Sequence, residues 1–481
     1  MAEMDQKSVP HVLLFPFPLL GHVNPLLQLA ELLCLSGLSN VTFLTTKHHH
    51  HRLLSFTDAR TRFSSFPAFR FETISDGLPD DHPRSYTHII DIFTGVRSVM
   101  EPSFRELLFS NYFQSVNRPP VTCIISDGLM SFPIGVAKEL GIASMDFRGT
   151  GASFLWCCFR HLNMVEAGEL PFKDADMDKL ITSIPGMESF LRCRDLPSFL
   201  RGCRGKVLDD SLKIVSSSHD LRPNATIINT FEDLEAPILA EMRPHFPKIF
   251  TLGPLHALLS TLHSGRSISS NNSLYEVDQN CITWLDSQQP NSVVYVSFGS
   301  IVMMTHTQML EFWYGLVNSG KRFLWVIRHD FVIDKDESFQ VPADLTSETK
   351  ERGYIVEWSP QEEVLAHPAV GGFLTHSGWG SILESMMAGV PMLCWPQIGD
   401  HHTNSRFVSD VWKVGLDMKD TCDRLTIEKM VNDLMDTKRD ELMRSMEEIS
   451  QLARKSVGKG GSSYGNLEAL VNRLIAYPIL F

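Results

Sequence analysis

No apolar run in the 481 residues is long enough to cross a bilayer, which takes about 20 consecutive apolar residues. The nearest approach, HVLLFPFPLLGHV, is broken by Pro16 and Pro18. Positive charge is also short: Lys and Arg number 43 against 56 Asp and Glu, a net charge of −13, which argues against a nucleic-acid partner. The nine cysteines are odd in number and irregularly spaced, so no disulfide framework is expected and reduced thiols in a cytosol are. The opening MAEMDQKSVP has no basic leader, so a cytoplasmic protein is expected and the Asn-x-Ser/Thr matches at Asn40, Asn224 and Asn271 read as chance. Vicinal Cys157 and Cys158, inside SFLWCCF, read as packing.

What is present is an ordinary globular composition, 43% hydrophobic and 21% charged, in a chain too long for one core. Strand-like and helix-like segments alternate. Residues 11–17 read as a buried strand, Val23–Leu35 as a helix and Val41–Thr45 as a second strand. Val121–Ser126 is another, followed by Asp127 and a helix over Phe132–Leu140 that Gly141 ends. Leu255–Asn272, rich in Ser, Gly, His and Asn, reads as a linker. Alternation then restarts with VVYVSF, a helix over Thr307–Asn318, RFLWVI, YIVEW and GGFLTH, and ends in charged helices over Thr426–Val457 and Asn466–Ile475. The expected fold is α/β, two doubly wound Rossmann-like domains facing each other across a cleft. The boundaries expected are 1–252, a linker at 253–275, a second domain at 276–460, and a helix and tail at 461–481 that pack back on the first. Ligands of open parallel sheets bind beyond the carboxyl ends of strands. His22 and Asp127 follow strands in the first domain and His376 follows one in the second.

The run from Trp358 to His401 carries most of the chemistry. GGFLTH reads as a buried strand and SILESMMAG as the helix that leaves it. Between them, Ser377-Gly378-Trp379-Gly380 is small enough for a phosphate to approach backbone N–H groups at a helix start. His376 and Ser381 flank that turn with two further donors. Glu384, three residues past Ser381, supplies a carboxylate for a ribose diol. These features describe a cradle for a nucleoside diphosphate.

The same run, with FPFPLLGHVNP, Arg192–Phe199, Ile228–Glu235 and Val293–Ser300, resembles the plant UDP-sugar-dependent glycosyltransferases of specialised metabolism, over nearly the whole chain. The resemblance implies the two-domain GT-B fold and an inverting transferase, with UDP-sugar and a small acceptor as its partners, acting as a monomer. By it, Trp358 stacks on uracil, Gln361 helps hold base and ribose, and Glu384 binds the ribose hydroxyls. His376, Ser381 and Ser300 contact the diphosphate, Trp379 and Gly380 line the same turn, and Asp400 with His401 bind the sugar. Three positions depart from the family pattern. Ser359 replaces a common Ala at a site read through its backbone, Gly380 replaces a phosphate-binding Asn, and His401 replaces a closing Gln that contacts the sugar. Glucose and galactose therefore both stay open as the donor sugar. Leu416–Leu425 is similar to relatives that glucosylate iridoid acids.

Transfer needs an acceptor hydroxyl made nucleophilic, and a His near neutrality suits that task. The family's catalytic base matches His22 and its orienting Asp matches Asp127. Leaving-group stabilisation by His376, Ser381, Ser300 and a helix start replaces a metal, so no cofactor or metal is expected. Phe17, Leu19, Met130 and Phe147 are expected to line an apolar acceptor pocket, with Phe190 and Trp395 further off. Asp174-Ala175-Asp176 matches a metal-binding DxD pattern but sits in the charged KDADMDK, and His48–His51 follow a strand; both read as non-metal. Gly149-Thr150-Gly151 lacks the third glycine of a dinucleotide loop. A UDP-sugar epimerase or hydrolase, or a nucleotide binder without turnover, are the competing functions.

Overall fold

The computed structural model describes residues 9–82, 84, 88–110, 112–201, 222–263, 275–333 and 342–476. They form two compact units, the first drawing on described residues within 9–159, 222–263 and 455–476, the second on those within 160–201 and 275–454. Each is built on one parallel sheet. Asn271 and residues 264–274 of the expected linker lie outside the described residues.

In the first unit the strands are β1 (His11–Phe15), β2 (Asn40–Thr46), β3 (Phe69–Ile74), β4 (Cys123–Asp127), β5 (Ala143–Arg148), β6 (Ala225–Ile228) and β7 (Ile249–Thr251). They lie in the order β3-β2-β1-β4-β5-β6-β7. β1 and β4 are buried at every residue, which is why their sequences are apolar runs without alternation. β1 ends at Phe15, two residues short of expectation, because Pro16 and Pro18 have no N–H to give a ladder. The helix that follows starts at Leu20, so His22 stands in its first turn and not in the loop before it. Asp127 closes β4 as its last residue.

The second unit holds β8 (Val293–Ser297), β9 (Arg322–Val326), β10 (Gly353–Val356), β11 (Val370–Thr375), β12 (Met392–Cys394) and β13 (Gly415–Asp417). They run in the order β10-β9-β8-β11-β12-β13. Its core is aromatic: Phe298 and Phe312 both pack edge-on to Trp395, and Trp313 packs edge-on to Trp325.

Two boundaries differ from expectation. Leu255–Leu262 is a helix that buries Leu255, Ala257, Leu258 and Leu259, so apolar burial outweighs the Ser and His content that suggested a linker. Residues 160–204 group with the second unit although sequence order assigned them to the first. Hydrogen bonds from Thr403 to the Asp195 carbonyl (2.8 Å) and from Arg406 to the Phe190 carbonyl (3.0 Å) hold them there. The C-terminal helix, Ser462–Ala476, is tied to the first unit by Ser463 and Asn466, which donate to the carbonyls of Gly253 and Thr251.

Gly149-Thr150-Gly151 leads into the helix Ala152–Phe159, whose start already holds an anion. The buried Glu235 carboxylate accepts from the N–H groups of Ala152 and Ser153, both at 2.8 Å, so that helix start has no vacancy for phosphate. Each such charge-assisted bond is worth about 1.5–3 kcal/mol. Glu235→Ala should therefore lower the thermal midpoint markedly, and Glu235→Gln less, because its amide oxygen still accepts one bond; equal midpoints for Glu235→Ala and wild type would refute this reading.

Candidate active site

The 20–35 helix and β4 meet at one pair of side chains. His22 Nδ1 lies 2.8 Å from Asp127 Oδ2, across 105 residues of sequence. The other Asp127 oxygen accepts from the Leu129 N–H at 2.9 Å, so the carboxylate is oriented at both ends. Its side chain is 3% exposed while that of His22 is 23% exposed, which keeps the imidazole reachable and its partner sheltered. Because the carboxylate accepts at Nδ1, the ring proton sits there and Nε2 carries the lone pair. Such an imidazole takes a proton at Nε2 and is stabilised by Asp127 once charged. Phe17 packs edge-on to the ring, with centroids 5.5 Å apart, and limits its rotation.

In the second unit, β11 runs into a tight turn and the helix Trp379–Ala388. Ser377 adopts a left-handed φ of 69°, which turns the chain sharply. The helix start has no side-chain cap, and a helix start attracts anions through its N–H groups and dipole. His376 is seated between two glycines: a Cβ at Gly299 or at Gly378 would overlap its ring. Gly299 also has a positive φ of 71°, which an L side chain resists. Burial lowers the His376 pKa to about 4; donation from the ring to the Ser297 backbone carbonyl offsets part of this and the Arg328 charge adds to it. The ring is thus neutral, and its Nδ1 is buried with no hydrogen-bond partner. Arg328 anchors the neighbouring loop by donating to the carbonyls of Gly299 and Val302. Ser300, partly exposed, closes that loop.

A polar network joins the turn to the segment before β11. Gln361 Nε2 donates to Ser381 Oγ (2.9 Å) and Glu384 Oε2 (2.6 Å), and its Oε1 accepts from the Tyr295 hydroxyl at 3.1 Å. Tyr295 also meets Ser359 Oγ at 2.9 Å. Burial raises the Glu384 pKa from 4.5 to about 8; the Glu362 charge adds to the rise and donation from Gln361 offsets it. Trp358, partly exposed, stacks on Tyr275 at 4.5 Å. Asp400 accepts from Asn404 (2.7 Å), which also donates to the Ser377 carbonyl (3.0 Å), so the Asp400-His401 corner and the phosphate turn share one amide. The His401 ring meets the His376 ring edge-on at 4.8 Å, and its Nδ1 accepts from the Ile398 N–H, leaving the ring proton on Nε2. Burial holds His401 well below its usual pKa, with the neighbouring His376 and His402 adding to the effect.

Comparison with known proteins gives this geometry a family. The signature described as UDP-glucoronosyl and UDP-glucosyl transferase matches residues 244–452. A 7-deoxyloganetic acid glucosyltransferase of Catharanthus roseus is 50% identical over 478 residues, covering 98% of each chain. This chain belongs to the UDP-glycosyltransferase family. A 7-deoxyloganetin glucosyltransferase of Gardenia jasminoides is 38% identical, covering 98% of this glycosyltransferase and all of that one. Among solved structures, Os79 of O. sativa in complex with UDP superposes with a TM-score of 0.80 at 28% identity, over 96% of this chain and 100% of that one. Medicago truncatula UGT71G1 with UDP-glucose gives 0.79 at 27% identity, over 98% of this chain and 100% of that one. The fold class is GT-B, and the protein is a UDP-dependent hexosyltransferase.

Several expected side chains of the glycosyltransferase lie elsewhere than in an open pocket. Phe17, Leu19 and Met130 belong to the apolar core of the first unit, and Phe147 is fully buried; packing has claimed all four. Partly exposed Phe93, Leu129 and Leu78 border that core instead, Phe93 lying 5.0 Å from Phe17. Trp379 is buried against Trp412 and offers the turn only its backbone. Ser359 is buried on Tyr295. Phe190 packs on Phe407, and Trp395 is core. Tyr295, Arg328 and Asn404 were missed. Arg328, a lone cation just after the apolar RFLWVI, carried the one signal that sequence offered. Asp174–Asp176 forms a short helical turn and His49 is a buried residue of the Lys47–Phe56 helix; among the described residues no group of three His, Cys, Asp or Glu is placed to hold a metal.

Gly380 is exposed in the first helical turn, with nothing within 4 Å of where a Cβ would stand. Gly380→Asn should fit and restore an amide at the phosphate turn, tightening UDP by about 0.5–1.5 kcal/mol in titration calorimetry; weaker binding would show that the close backbone approach matters more. The raised Glu384 pKa makes its ionisation costly to the fold. Its contribution to stability is full below about pH 4.5 and lost as the pH rises through about 8. The thermal midpoint of Glu384→Gln should accordingly gain on wild type across that window. If a ribose diol donates to this carboxylate, UDP binding releases a proton below about pH 8 and strengthens as the pH rises. A wild-type affinity that is flat with pH would sink the ribose assignment.

Proposed function

We propose that this glycosyltransferase moves glucose from UDP-glucose to a hydroxyl of a small lipophilic plant metabolite, an iridoid or related terpenoid acid, and forms a β-glycoside. The observation that carries the acceptor class is the relative that shares half its residues over 98% of both chains and is a 7-deoxyloganetic acid glucosyltransferase. The hydrogen bond between His22 and Asp127 carries the mechanism.

In this reading His22 Nε2 takes the proton of the acceptor hydroxyl as its oxygen attacks C1 of the sugar. Attack opposite the leaving UDP inverts an α-linked donor to a β product. Asp127 keeps the Nδ1 proton in place and stabilises the imidazolium formed. UDP leaves into a preorganised site: the uncapped helix start, Ser381, Ser300 and neutral His376 face the diphosphate, with the backbone of Trp379 and Gly380. Trp358 and Gln361 take the base, Glu384 the ribose, and Asp400 with His401 the sugar hydroxyls. This donor set supports transfer without a metal ion. Base and donor cradle are carried by one chain, which supports action as a monomer. The free thiols of Cys34, Cys123, Cys193, Cys281, Cys394 and Cys422 support a reducing compartment, the cytosol.

A second donor, UDP-galactose, is favoured by one observation. His401 offers a single N–H donor where the family's Gln offers an amide, so the hydroxyl it contacts need not be the same. Parallel assays with both donors on a panel of iridoid, phenolic and terpenoid alcohols decide between them. UDP-glucose is expected to be preferred, and NMR of the product should show a β-glycoside, which neither an epimerase nor a hydrolase makes. His22→Ala should leave UDP binding intact and reduce kcat by about 10²–10⁴-fold. Unchanged transfer by that variant would remove His22 from the mechanism.

A further inference from the structure

One charged group in the first unit is used by nothing so far described. Arg148 is the last residue of β5, the strand next to β4, and it follows Phe147, which sits opposite Asp127 in register. Its Nε donates to Asp146 Oδ2 at 2.8 Å. The two terminal nitrogens make no hydrogen bond among the described residues, in a side chain that is 10% exposed. The guanidinium lies flat over Gly128, the residue after Asp127, where any Cβ would overlap it. Gly149 continues the chain against the turn that carries His22: a Cβ there would lie 3.7 Å from the Gly21 carbonyl oxygen. An oriented guanidinium, largely buried and with its terminal nitrogens unpaired among the described residues, thus stands at the carboxyl edge of the sheet, over the residue that follows Asp127.

The geometry points to Arg148 as the acceptor-binding residue that receives a carboxylate, so that the preferred acceptors are hydroxy acids and not their neutral esters. This rests on the proposed acceptor side around His22 and names the charge that side recognises. A guanidinium fork matches the two oxygens of a carboxylate, and the match is lost on esterification. A monoanion fits better than a phosphate, because Asp146 already balances part of the positive charge. Asp146 cannot close the fork itself. It is buried between the strands, its Oδ1 has no partner, and its hydrogen bond goes to Nε on the side of the guanidinium. Burial raises the Asp146 pKa, Arg148 opposes the rise, and the Asp127 charge adds to it, so the two carboxyls sense each other near the site. Gly128 is the sequence feature that leaves room for this seat.

The test uses matched acceptors, each as free acid and as methyl ester: 7-deoxyloganetic acid, 4-hydroxybenzoic acid and vanillic acid. Wild-type kcat/KM should favour the acid over the ester in at least one pair. In the double variant Asp146→Asn with Arg148→Gln, which keeps the buried pair neutral and hydrogen-bonded, that preference should fall by about 10–100-fold through KM for the acid. The KM for UDP-glucose and the ester rate should hold. Arg148→Lys, which keeps the charge and loses the fork, should fall between the two, and it reports the same ratio if the double variant fails to fold. An acid preference that survives these substitutions, or its absence from all three pairs in the wild type, overturns the inference. Turnover of the phenolic acids alone would retire the iridoid acceptor while leaving Arg148 as the carboxylate anchor.

Discussion

Parallel pairing of β1 with β4 sets Phe15 beside Ser126, and the chemistry of the first unit follows from that register. With these residues level, the next position on β4 is Asp127, and the first turn of the helix after β1 carries His22 to within 2.8 Å of it. The two residues have no local reason to meet. Their encounter is a property of the strand order, in which the chain leaves β1, builds β2 and β3 on one side, and returns to the other. A parallel sheet needs such crossovers, and its carboxyl edge is where the connecting turns leave polar groups free.

The second unit solves a related problem with glycine. A neutral imidazole is buried at the turn after β11, and the space for it exists only because positions 299 and 378 lack side chains. Desolvation then holds His376 uncharged, so the ring can act as a directional hydrogen-bonding group and not as a counter-ion. The same desolvation works in the opposite sense on Glu384, whose carboxyl it pushes toward the neutral form. Gln361 ties Glu384 to Ser381 and, through Tyr295, to Ser359. One amide thereby supports Ser381, Glu384 and Tyr295 together. Asn404 does likewise for the Ser377 turn and Asp400.

Much of this was legible in sequence wherever the signal was local. A β-strand buried on both faces is an apolar run, a helix start after Gly is an anion site, and a His after a strand in an α/β chain is placed for catalysis. The acceptor side was not legible in this way. Phe17, Leu19, Met130 and Phe147 carry the right chemistry for a pocket wall, yet the same apolar side chains gain more by closing the core. Position relative to a strand end cannot distinguish the two, because both outcomes bury the residue. Leu255–Leu262 misled for the converse reason: a Ser- and His-containing segment became a helix because its leucines fall on one face.

By itself the sequence determined the class of fold and the family, and it singled out His22, Asp127 and the run from Trp358 to His401 as the candidate site, since each depends on residue types at short spacing. Tertiary structure alone decided which apolar side chains close the core, that His376 and His401 are both held neutral and packed edge-on, and that Arg148 lies over Gly128 with only its Nε bonded. The reason is that burial and desolvation are sums over neighbours that are distant in the chain. Spacing along the sequence carries no information about those neighbours until the strands have been ordered.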